Sequence, residues 1–276
     1  MTTLCEDRRV LRSNGRVADI ALKGAHKADS YATPAPRRVT ASVAGLRGGP
    51  TGGLDKELLF GQAFHVLETH AGQCFGFDPV DGYVGYIREA ALGPWRVPTH
   101  RTSAASHIYS APDIKSPTVQ RLSAAAQLTC TGQDNSFLQT EGGWVPAQHL
   151  CPIDTVENDP VTVAEHFLHT PYLWAGNSSF GIDCSGLTQM ALLRCGIPCP
   201  RDSDQQQAAF PETTGPLQRG DLIFWKGHVG LLRDANTLIH ANAHHMAVAV
   251  EPLDQAIARI ARKEFGEVTK TARPAA

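Results

Sequence analysis

The residues best suited to covalent chemistry in this sequence are one cysteine and two histidines, and the cysteine comes first along the chain. Cys184 follows Asp183 and opens a segment of helical spacing that ends at Gly196. Backbone N–H groups are unpaired in the first turn of a helix and its dipole is positive there, so this position favours a thiolate over a thiol. The same N–H groups could receive the oxyanion of a tetrahedral intermediate. We therefore expect Cys184 to be a partly activated nucleophile.

The two histidines lie on neighbouring predicted strands. His228 opens one strand, His240 lies on the next, and residues 233–236 form the turn between them. In an antiparallel hairpin centred on Asp234, His228 lies directly opposite His240 and both rings share one face. A slip of one residue would separate the rings, so this hypothesis requires a loop with an odd number of residues. We expect His228 to take the thiol proton and His240 to fix the orientation and tautomer of its ring.

The elements that carry these residues form a mixed region. Asp159 followed by Pro160 is typical of a helix N-cap and first helical residue, and a second helix begins after Asp183. After Asp221 the pattern changes to short apolar runs, which predict strands over residues 222–225, 228–232, 237–241 and 247–250. Helices followed by an antiparallel sheet predict an α+β fold.

Upstream of this region, short β-type runs separated by Gly, Pro and Asp predict two small all-β barrels. The runs cover residues 39–43, 57–60, 63–67, 74–77 and 83–87, then 107–109, 118–122, 126–130, 137–140 and 143–145. Their spacing suggests an imperfect tandem repeat. The polar, basic start of the chain predicts an extended segment with one short helix over residues 16–22. The predicted units are residues 1–37, 38–96, 97–153 and 154–276.

Composition places the chain among globular proteins and disfavours several partners. The 276 residues are 42% hydrophobic and 19% charged, with a formal net charge of −2, which gives no reason to expect nucleic acid or an anionic membrane as a partner. The sequence has no long apolar run, and its first thirty residues lack the pattern of a signal peptide. Seven cysteines, an odd number, fit reduced thiols. We expect a cytoplasmic protein that uses no cofactor; its oligomeric state stays open.

Metal binding is also disfavoured by spacing. No second pair or acidic partner stands at metal-ligand spacing beside either group of possible ligands, which are Cys195 with Cys199, and His240 with His244 and His245. Three large aromatic side chains are expected in the core: Trp174, Phe224 and Trp225.

Several short motifs, in order along the chain, resemble the NlpC-type cell-wall cysteine peptidases. They are Tyr172-Leu-Trp174-Ala-Gly176, Asp183-Cys184-Ser185-Gly186, Pro200-Arg-Asp202-Ser203, Gly220-Asp221-Leu222, Gly227-His228-Val229-Gly230 and His240. So many motifs in the same order make the resemblance specific. Members that carry bacterial SH3-like domains ahead of the peptidase resemble this chain over most of its length, including Gly82-Tyr83-Val84-Gly85-Tyr86 in the first barrel.

The resemblance implies a fold and a set of roles. It implies a papain-like core in which Cys184 is the nucleophile, His228 the base and His240 the orienting residue, while Tyr172 helps to shape the oxyanion site. In the subgroup with SH3-like domains, the substrate is a peptidoglycan stem peptide with a free N-terminal L-alanine. The peptide is cut after γ-D-glutamate and before the diamino acid, which here could be diaminopimelate or lysine.

A free α-ammonium group needs a carboxylate and hydroxyl acceptors in a confined site. Five side chains could provide them: Tyr83, Asp183, Ser185, Asp202 and Ser203. By resemblance, Tyr83 reaches from the first barrel to the amine end of the peptide and excludes longer strands. Asp183 is equally typical of a plain helix N-cap, and both roles can coexist; Asp202 and Ser203 could be turn formers only.

The leading expectation is therefore a cytoplasmic γ-D-glutamyl-L-diamino acid endopeptidase that recycles released muropeptides. Two alternatives keep the fold and change the function. One is an exported or phage-type hydrolase that acts on intact cell wall through its barrels. The other is a non-catalytic binding module or a thiol acyltransferase.

Overall fold

The computed structural model describes residues 7–275, and the chain divides between Thr155 and Val156 into two compact units. The first unit is almost entirely β-structure and the second mixes helices with one sheet. The predicted boundaries at residues 37, 96 and 153 stay predictions. Among the residues so described, no helix is both long and apolar enough to cross a membrane.

The first half of the first unit is built on one seven-stranded antiparallel sheet with the order β5-β4-β8-β7-β6-β3-β9. This half has nine strands, of which the first two pair with each other outside that sheet: β1 (Val17–Asp19), β2 (Ser30–Ala32), β3 (Ala35–Val39), β4 (Val43–Arg47), β5 (Leu54–Leu59), β6 (Ala63–His70), β7 (Gln73–Phe77), β8 (Val84–Arg88) and β9 (Leu92–Pro94). Single 3₁₀ turns lie at Ile20–Leu22 and Glu89–Ala91. A predicted strand over residues 39–43 is wrong, because β3 ends at Val39 and β4 begins at Val43.

The start of the described chain packs onto this sheet. The predicted helix over residues 16–22 is wrong: β1 pairs in parallel with β2, and only a 3₁₀ turn follows, capped by the Asp19 carboxylate on the Ala21 N–H group. β-Branched Val17 is buried against side chains of the barrel, namely Leu67, Phe75, Phe77 and Val84. Burial of this strand therefore outweighs the helical pattern.

The second half of the first unit has a five-stranded sheet, β12-β11-β16-β15-β14, and a three-stranded sheet, β13-β10-β17. The strands are β10 (His100–Thr102), β11 (Ser106–Tyr109), β12 (Thr118–Leu122), β13 (Gln127–Leu128), β14 (Cys130–Asp134), β15 (Phe137–Thr140), β16 (Gly143–Pro146) and β17 (Leu150–Pro152), with a 3₁₀ turn at Ala147–His149. Phe60, from the first half, lies in the same apolar cluster as Ile108 and Val145. The two halves differ in strand number and order, which argues against the suggested tandem repeat.

The second unit places helices around a five-stranded antiparallel sheet with the order β23-β22-β21-β20-β24. Its elements are α1 (Pro160–Glu165), β18 (Asn177–Ser178), β19 (Gly181–Ile182), α2 (Cys184–Arg194), α3 (Ser203–Ala209), β20 (Leu222–Trp225), β21 (His228–Asp234), β22 (Thr237–Asn242), β23 (Ala247–Pro252), α4 (Leu253–Lys263) and β24 (Lys270–Ala272). The predicted α+β arrangement is confirmed. The N-caps at Asp159 and Asp183 are confirmed as well. Five elements of this unit were not predicted from the sequence: β18, β19, α3, α4 and β24.

The hairpin that carries the two histidines differs from its predicted register by two residues. Leu231 pairs with Ile239 and Leu232 with Leu238, so His228 lies diagonal to His240 rather than directly opposite. The turn has two residues, and a bulge at Arg233 adds the odd residue that the hypothesis required. A shift of two residues keeps the side-chain alternation, so both rings still share one face of the sheet.

Candidate functional site

Cys184 lies at the first residue of α2, held there by the cap of that helix. The Asp183 carboxylate accepts the Gly186 N–H group at 2.7 Å, an N-cap contact that satisfies one of the unpaired donors of the first turn. Helix α2 packs against β21. The Cys184 sulfur receives backbone N–H groups from Ser185, in its own helix, and from Val229, the residue after His228. The sulfur is thus located at the start of the strand that carries the predicted base.

The ionisation state of Cys184 corrects the expectation of a partly activated thiolate. Burial and the neighbouring Asp183 charge raise the pKa of Cys184 to about 12, although the Val229 and Ser185 N–H groups lower it. The helix terminus does act in the predicted direction. Removal of the thiol from water is the larger effect, since burial disfavours the charged form. The resting group is a neutral thiol, which would need a base to act as a nucleophile.

His228 and His240 meet as predicted, through one short contact. His228 Nε2 lies 2.8 Å from His240 Nδ1, and both side chains are buried. The ring of Phe265 stacks on the ring of His228 at a centroid distance of 5.2 Å, and the ring of Trp225 lies 5.6 Å from that of His228. Since Nε2 of His228 faces His240, its Nδ1 is the nitrogen that remains for proton transfer.

A carboxylate and a guanidinium extend this pair, and sequence reasoning missed both. His240 Nε2 lies 2.7 Å from Glu251 Oε1, and Arg259 donates to the same oxygen at 2.6 Å. Glu251 is on β23, where His240 pairs with Ala249 and Leu238 with Glu251, so Glu251 shares the face of His240. The predicted strand ended at residue 250. Glu251 lies two residues after Ala249, the partner of His240, so alternation along the strand places Glu251 on the face of His240. This spacing is the signal that could have identified Glu251.

The charges of this chain follow from burial and contact. Burial, with smaller contributions from His240 and Arg259, lowers the pKa of His228 to about 3. Burial also lowers the pKa of His240, although its hydrogen bond to Glu251 opposes the shift. Burial would raise the pKa of Glu251, but hydrogen bonds from His240 and Arg259 lower it to about 2. At neutral pH the site therefore holds two neutral imidazoles and one carboxylate.

Tyr172 lies beside the nucleophile, consistent with the role that the resemblance implies. It forms a parallel bridge with Ile182, two residues before Cys184, and its N–H group donates to Met246 O at 2.9 Å. Burial and the nearby Cys184 and Asp183 raise the pKa of Tyr172. The phenol therefore keeps its proton and can donate a hydrogen bond. Its catalytic role stays a prediction.

Asp183 and Ser185 are engaged with a buried arginine that sequence reasoning left without a role. Arg201 Nη1 and Nη2 donate to the two Asp183 oxygens, each at 2.9 Å, and Nη1 also donates to Ser185 Oγ at 2.8 Å. The second Asp183 oxygen accepts the Ala175 N–H group at 2.8 Å. The N-cap role of Asp183 is thus confirmed, and contact of Asp183 or Ser185 with a substrate amine stays a prediction.

Asp202 follows Arg201 and precedes Ser203, the first residue of helix α3. Asp202 is its N-cap and forms a capping box with Gln205. Both residues are half-buried. Asp202 thus has a local structural role as the N-cap of α3. Substrate binding by Asp202 and Ser203 stays a prediction.

Tyr83 belongs to the core of the first barrel. Its side chain is 3% exposed and packs in the cluster that contains Leu46 and Phe64. The loop before it is fixed by buried Lys56, which contacts both Asp78 and Asp81; the Asp81 carboxylate accepts the Tyr83 N–H group at 3.0 Å. The contact of Tyr83 with substrate stays a prediction.

The aromatic residues divide between core and surface. Phe224 and Trp225 are buried, as expected, but the prediction for Trp174 is wrong because its side chain is 70% exposed. Trp174 lies on the loop between Tyr172 and the bridge at β18, where Ala175 adopts a positive φ of 62° and turns the chain. Between residues 7 and 275, no group of three or more His, Cys, Asp or Glu side chains could hold a metal ion.

Comparison with known proteins finds matches in both units of the chain. Residues 169–262 match the NlpC/P60 family and residues 46–92 match the bacterial dipeptidyl-peptidase Sh3 domain. Dipeptidyl-peptidase 6 of Lysinibacillus sphaericus is 37% identical over 112 residues, which are 40% of this chain and 41% of that protein. Gamma-D-glutamyl-L-lysine dipeptidyl-peptidase of Bacillus cereus is 33% identical over 132 residues, 45% of this chain and 39% of that protein. The matches thus span about two fifths of these relatives.

Among solved structures, an NlpC/P60 family protein from Bacillus cereus has a TM-score of 0.71 at 20% identity and covers 87% of this chain and 99% of that one. At this identity the likeness shows the fold. The chain therefore carries a region similar to the bacterial dipeptidyl-peptidase Sh3 domain ahead of a region similar to the NlpC/P60 family, and the second region has the α+β, papain-like fold.

Proposed function

We propose that this protein is a cysteine peptidase that hydrolyses the bond between γ-D-glutamate and the diamino acid in peptidoglycan stem peptides. One observation carries the proposal. The buried thiol of Cys184 receives the N–H group that follows His228, and His228 is a neutral base aligned by His240 at 2.8 Å. A nucleophile, a base and an orienting group in this order are the parts that acyl transfer requires.

The proposed reaction begins from the neutral thiol. His228 Nδ1 takes the proton as the Cys184 sulfur attacks the γ-carbonyl carbon, and the oxyanion forms near the first N–H groups of α2 and the Tyr172 phenol. The C–N bond then breaks, His228 returns the proton to the departing amine of the diamino acid, and an acyl thioester remains. A water molecule that gives its proton to His228 hydrolyses this thioester and restores the thiol.

The substrate class is supported by the relatives and by the residues around the site. One relative is named for the γ-D-glutamyl-L-lysine bond. Four side chains of the second unit are proposed to receive a free L-alanine amine, namely Asp183, Ser185, Asp202 and Ser203. We assign the charge of the amine to the carboxylates of Asp183 and Asp202, of which Asp183 also pairs with Arg201 at 2.9 Å. A requirement for a free amine suits peptides already released from the wall, so we propose recycling in the cytoplasm.

The test is a pair of peptides that differ at one group: L-Ala-γ-D-Glu-diamino acid and the same peptide acetylated on alanine. The protein is expected to release L-Ala-γ-D-Glu from the first and not from the second, because acetylation removes the charge that the site would bind. Cys184→Ala is expected to release neither product above background. Equal cleavage of both peptides, or clearing of intact sacculi, would contradict the recycling proposal and favour a wall hydrolase.

A further inference from the structure

Beyond the cysteine and the two histidines, the site holds a buried carboxylate that ends a continuous chain of contacts. Glu251 Oε1 lies 2.7 Å from His240 Nε2, and His240 Nδ1 lies 2.8 Å from His228 Nε2. The side chain of His240 is fully buried and that of Glu251 is 11% exposed. Each atom in this chain has one neighbour within it, so the position of each proton constrains the next.

The hydrogen-bonding capacity of the groups gives the direction of the chain. An ionised carboxylate only accepts, so the proton between Glu251 and His240 belongs to His240 Nε2. A neutral imidazole has one N–H group, so His240 Nδ1 is then an acceptor, and His228 Nε2 must donate to it. His228 is neutral as well, which leaves its Nδ1 without a proton.

We propose that Glu251 is a positioning residue that sets the tautomers of both histidines, so that Nδ1 of His228 is free to accept the Cys184 proton. This inference rests on the proposed function for its kinetic consequence, but the tautomers can be measured independently of catalysis. Two imidazoles without a carboxylate could pass their protons in either direction. The reverse direction would leave an N–H group on His228 Nδ1, which cannot take a proton.

Arg259 keeps Glu251 ionised and in place. Its Nη2 lies 2.6 Å from Glu251 Oε1 and its Nε lies 3.3 Å from Oε2, so both carboxylate oxygens are engaged. The other charged or titratable groups that face this pair are Glu264, which contacts Arg259 Nη1, and His245, whose Nδ1 lies 3.7 Å from Glu251 Oε1. Strand β23 is followed directly by helix α4. This brings the Glu251 carboxylate and the Arg259 guanidinium to one place.

The test replaces the carboxylate by an amide of the same shape. In Glu251→Gln the amide can either donate to His240 Nε2 or accept from it. The opposite order of donation then becomes available, in which His240 Nδ1 donates to His228 Nε2. We expect ¹⁵N chemical shifts of the imidazole nitrogens to show Nε2–H for both histidines in the unaltered protein and a population of His228 Nδ1–H in Glu251→Gln. Turnover of the free-amine peptide is expected to fall by about 10²–10⁴-fold in kcat with little change in KM, as for other wrong-tautomer variants.

The matched control is Glu264→Gln, which changes the other carboxylate bound to Arg259 and leaves the contact with His240 intact. It is expected to keep the wild-type tautomers and a kcat within about threefold of wild type. Unchanged His228 tautomers in Glu251→Gln would overturn the inference, and so would Nδ1–H on His228 in the unaltered protein. The latter measurement needs no variant and stands if Glu251→Gln fails to fold. An inactive wild-type protein with the expected tautomers would contradict the proposed function alone.

Discussion

At the residue scale, the site depends on a competition between burial and the helix terminus. Cys184 has both, and burial is the larger effect, so the pKa of Cys184 rises to about 12. The sequence indicates the helix terminus because Asp183 is a typical N-cap. It contains no direct signal for the removal of water from the sulfur, which depends on strand β21 from another part of the chain. This is why the position of Cys184 at the start of a helix could be predicted and its ionisation state could not.

Tyr172 provides a prediction at this scale. Its phenol stays protonated and lies near Cys184. In the proposed reaction, Tyr172→Phe would remove one hydrogen-bond donor from the developing oxyanion. The loss of one such donor typically lowers kcat by about 10²–10³-fold. We expect that decrease for the free-amine peptide with little change in KM, measured by initial rates.

The same variant should leave the sulfur itself intact. Alkylation of Cys184 in Tyr172→Phe is expected at the wild-type rate, because no other group of the site is altered. A kcat within threefold of wild type would show that the phenol does not act on the oxyanion. A raised KM with unchanged kcat would assign Tyr172 to substrate binding.

At the element scale, the N-terminus of α2 is anchored by a buried ion pair. The side chains of Asp183 and Arg201 are 8% and 0% exposed, and Arg201 is the residue before the N-cap of α3. A second cap has the same chemistry at the surface, since Arg219 pairs with Asp159 at the start of α1 with exposures of 41% and 35%. The two pairs differ chiefly in burial.

Arg201→Met is expected to destabilise the protein by about 3–5 kcal/mol, because it leaves the Asp183 charge buried without its partner. Arg219→Met, the matched control, is expected to cost about 1 kcal/mol or less. Urea unfolding of the full chain followed by tryptophan fluorescence measures both. Equal effects of the two substitutions would show that the buried pair does not anchor the helix.

The strands show how far sequence patterns reach at this scale. Alternation of apolar residues predicted β20 to β23 and the shared face of His228 and His240, because one face of that sheet is buried. The register itself was wrong by two residues, because the turn lies at residues 235–236 rather than at Asp234 and a bulge at Arg233 adjoins it. Neither feature follows from alternation. Glu251 escaped prediction for the same reason: its place beside His240 follows from the ladder between β22 and β23.

At the scale of the whole molecule, the buried site links stability to pH. The pKa of His228 falls to about 3 in the folded protein, below the ordinary value near 6.5 that it has when unfolded. Between these two pH values the unfolded chain binds more protons than the folded protein. The contribution of His228 to the free energy of unfolding is therefore fully present above about pH 6.5 and is lost as the pH falls. Glu251, with its pKa lowered to about 2, adds a loss in the same direction below about pH 4.5.

We therefore expect the free energy of unfolding to decrease by up to about 1.4 kcal/mol per pH unit for His228 as the pH falls from 6.5 to 4.5. Urea unfolding at several pH values measures this slope, and His228→Asn is expected to reduce it. The control His166→Asn, at a solvent-exposed histidine of the same unit, should keep the wild-type slope. A slope that His228→Asn does not change would show that His228 is not held neutral by the fold.

The packing of the strands in the first unit was harder to predict from the sequence than the motifs around Cys184 and His228. Short β-runs indicated barrels but not their shared core, because Phe60 and Val145 are distant in sequence and meet only in the folded unit. Val17 likewise reads as part of a helix until the apolar face of the first barrel is known. The motifs around Cys184 and His228 are local, which is why they were identified.

The most direct test of the central claim is the alkylation of Cys184 by iodoacetamide from pH 5 to 10, with turnover of the free-amine peptide measured on the same samples. If Cys184 is a buried neutral thiol and the nucleophile, its alkylation rate should increase about tenfold per pH unit through pH 9, and lost turnover should equal the fraction of Cys184 modified. A rate that is constant below pH 7 would show a resting thiolate. Turnover that survives full modification of Cys184 would contradict its role as the nucleophile.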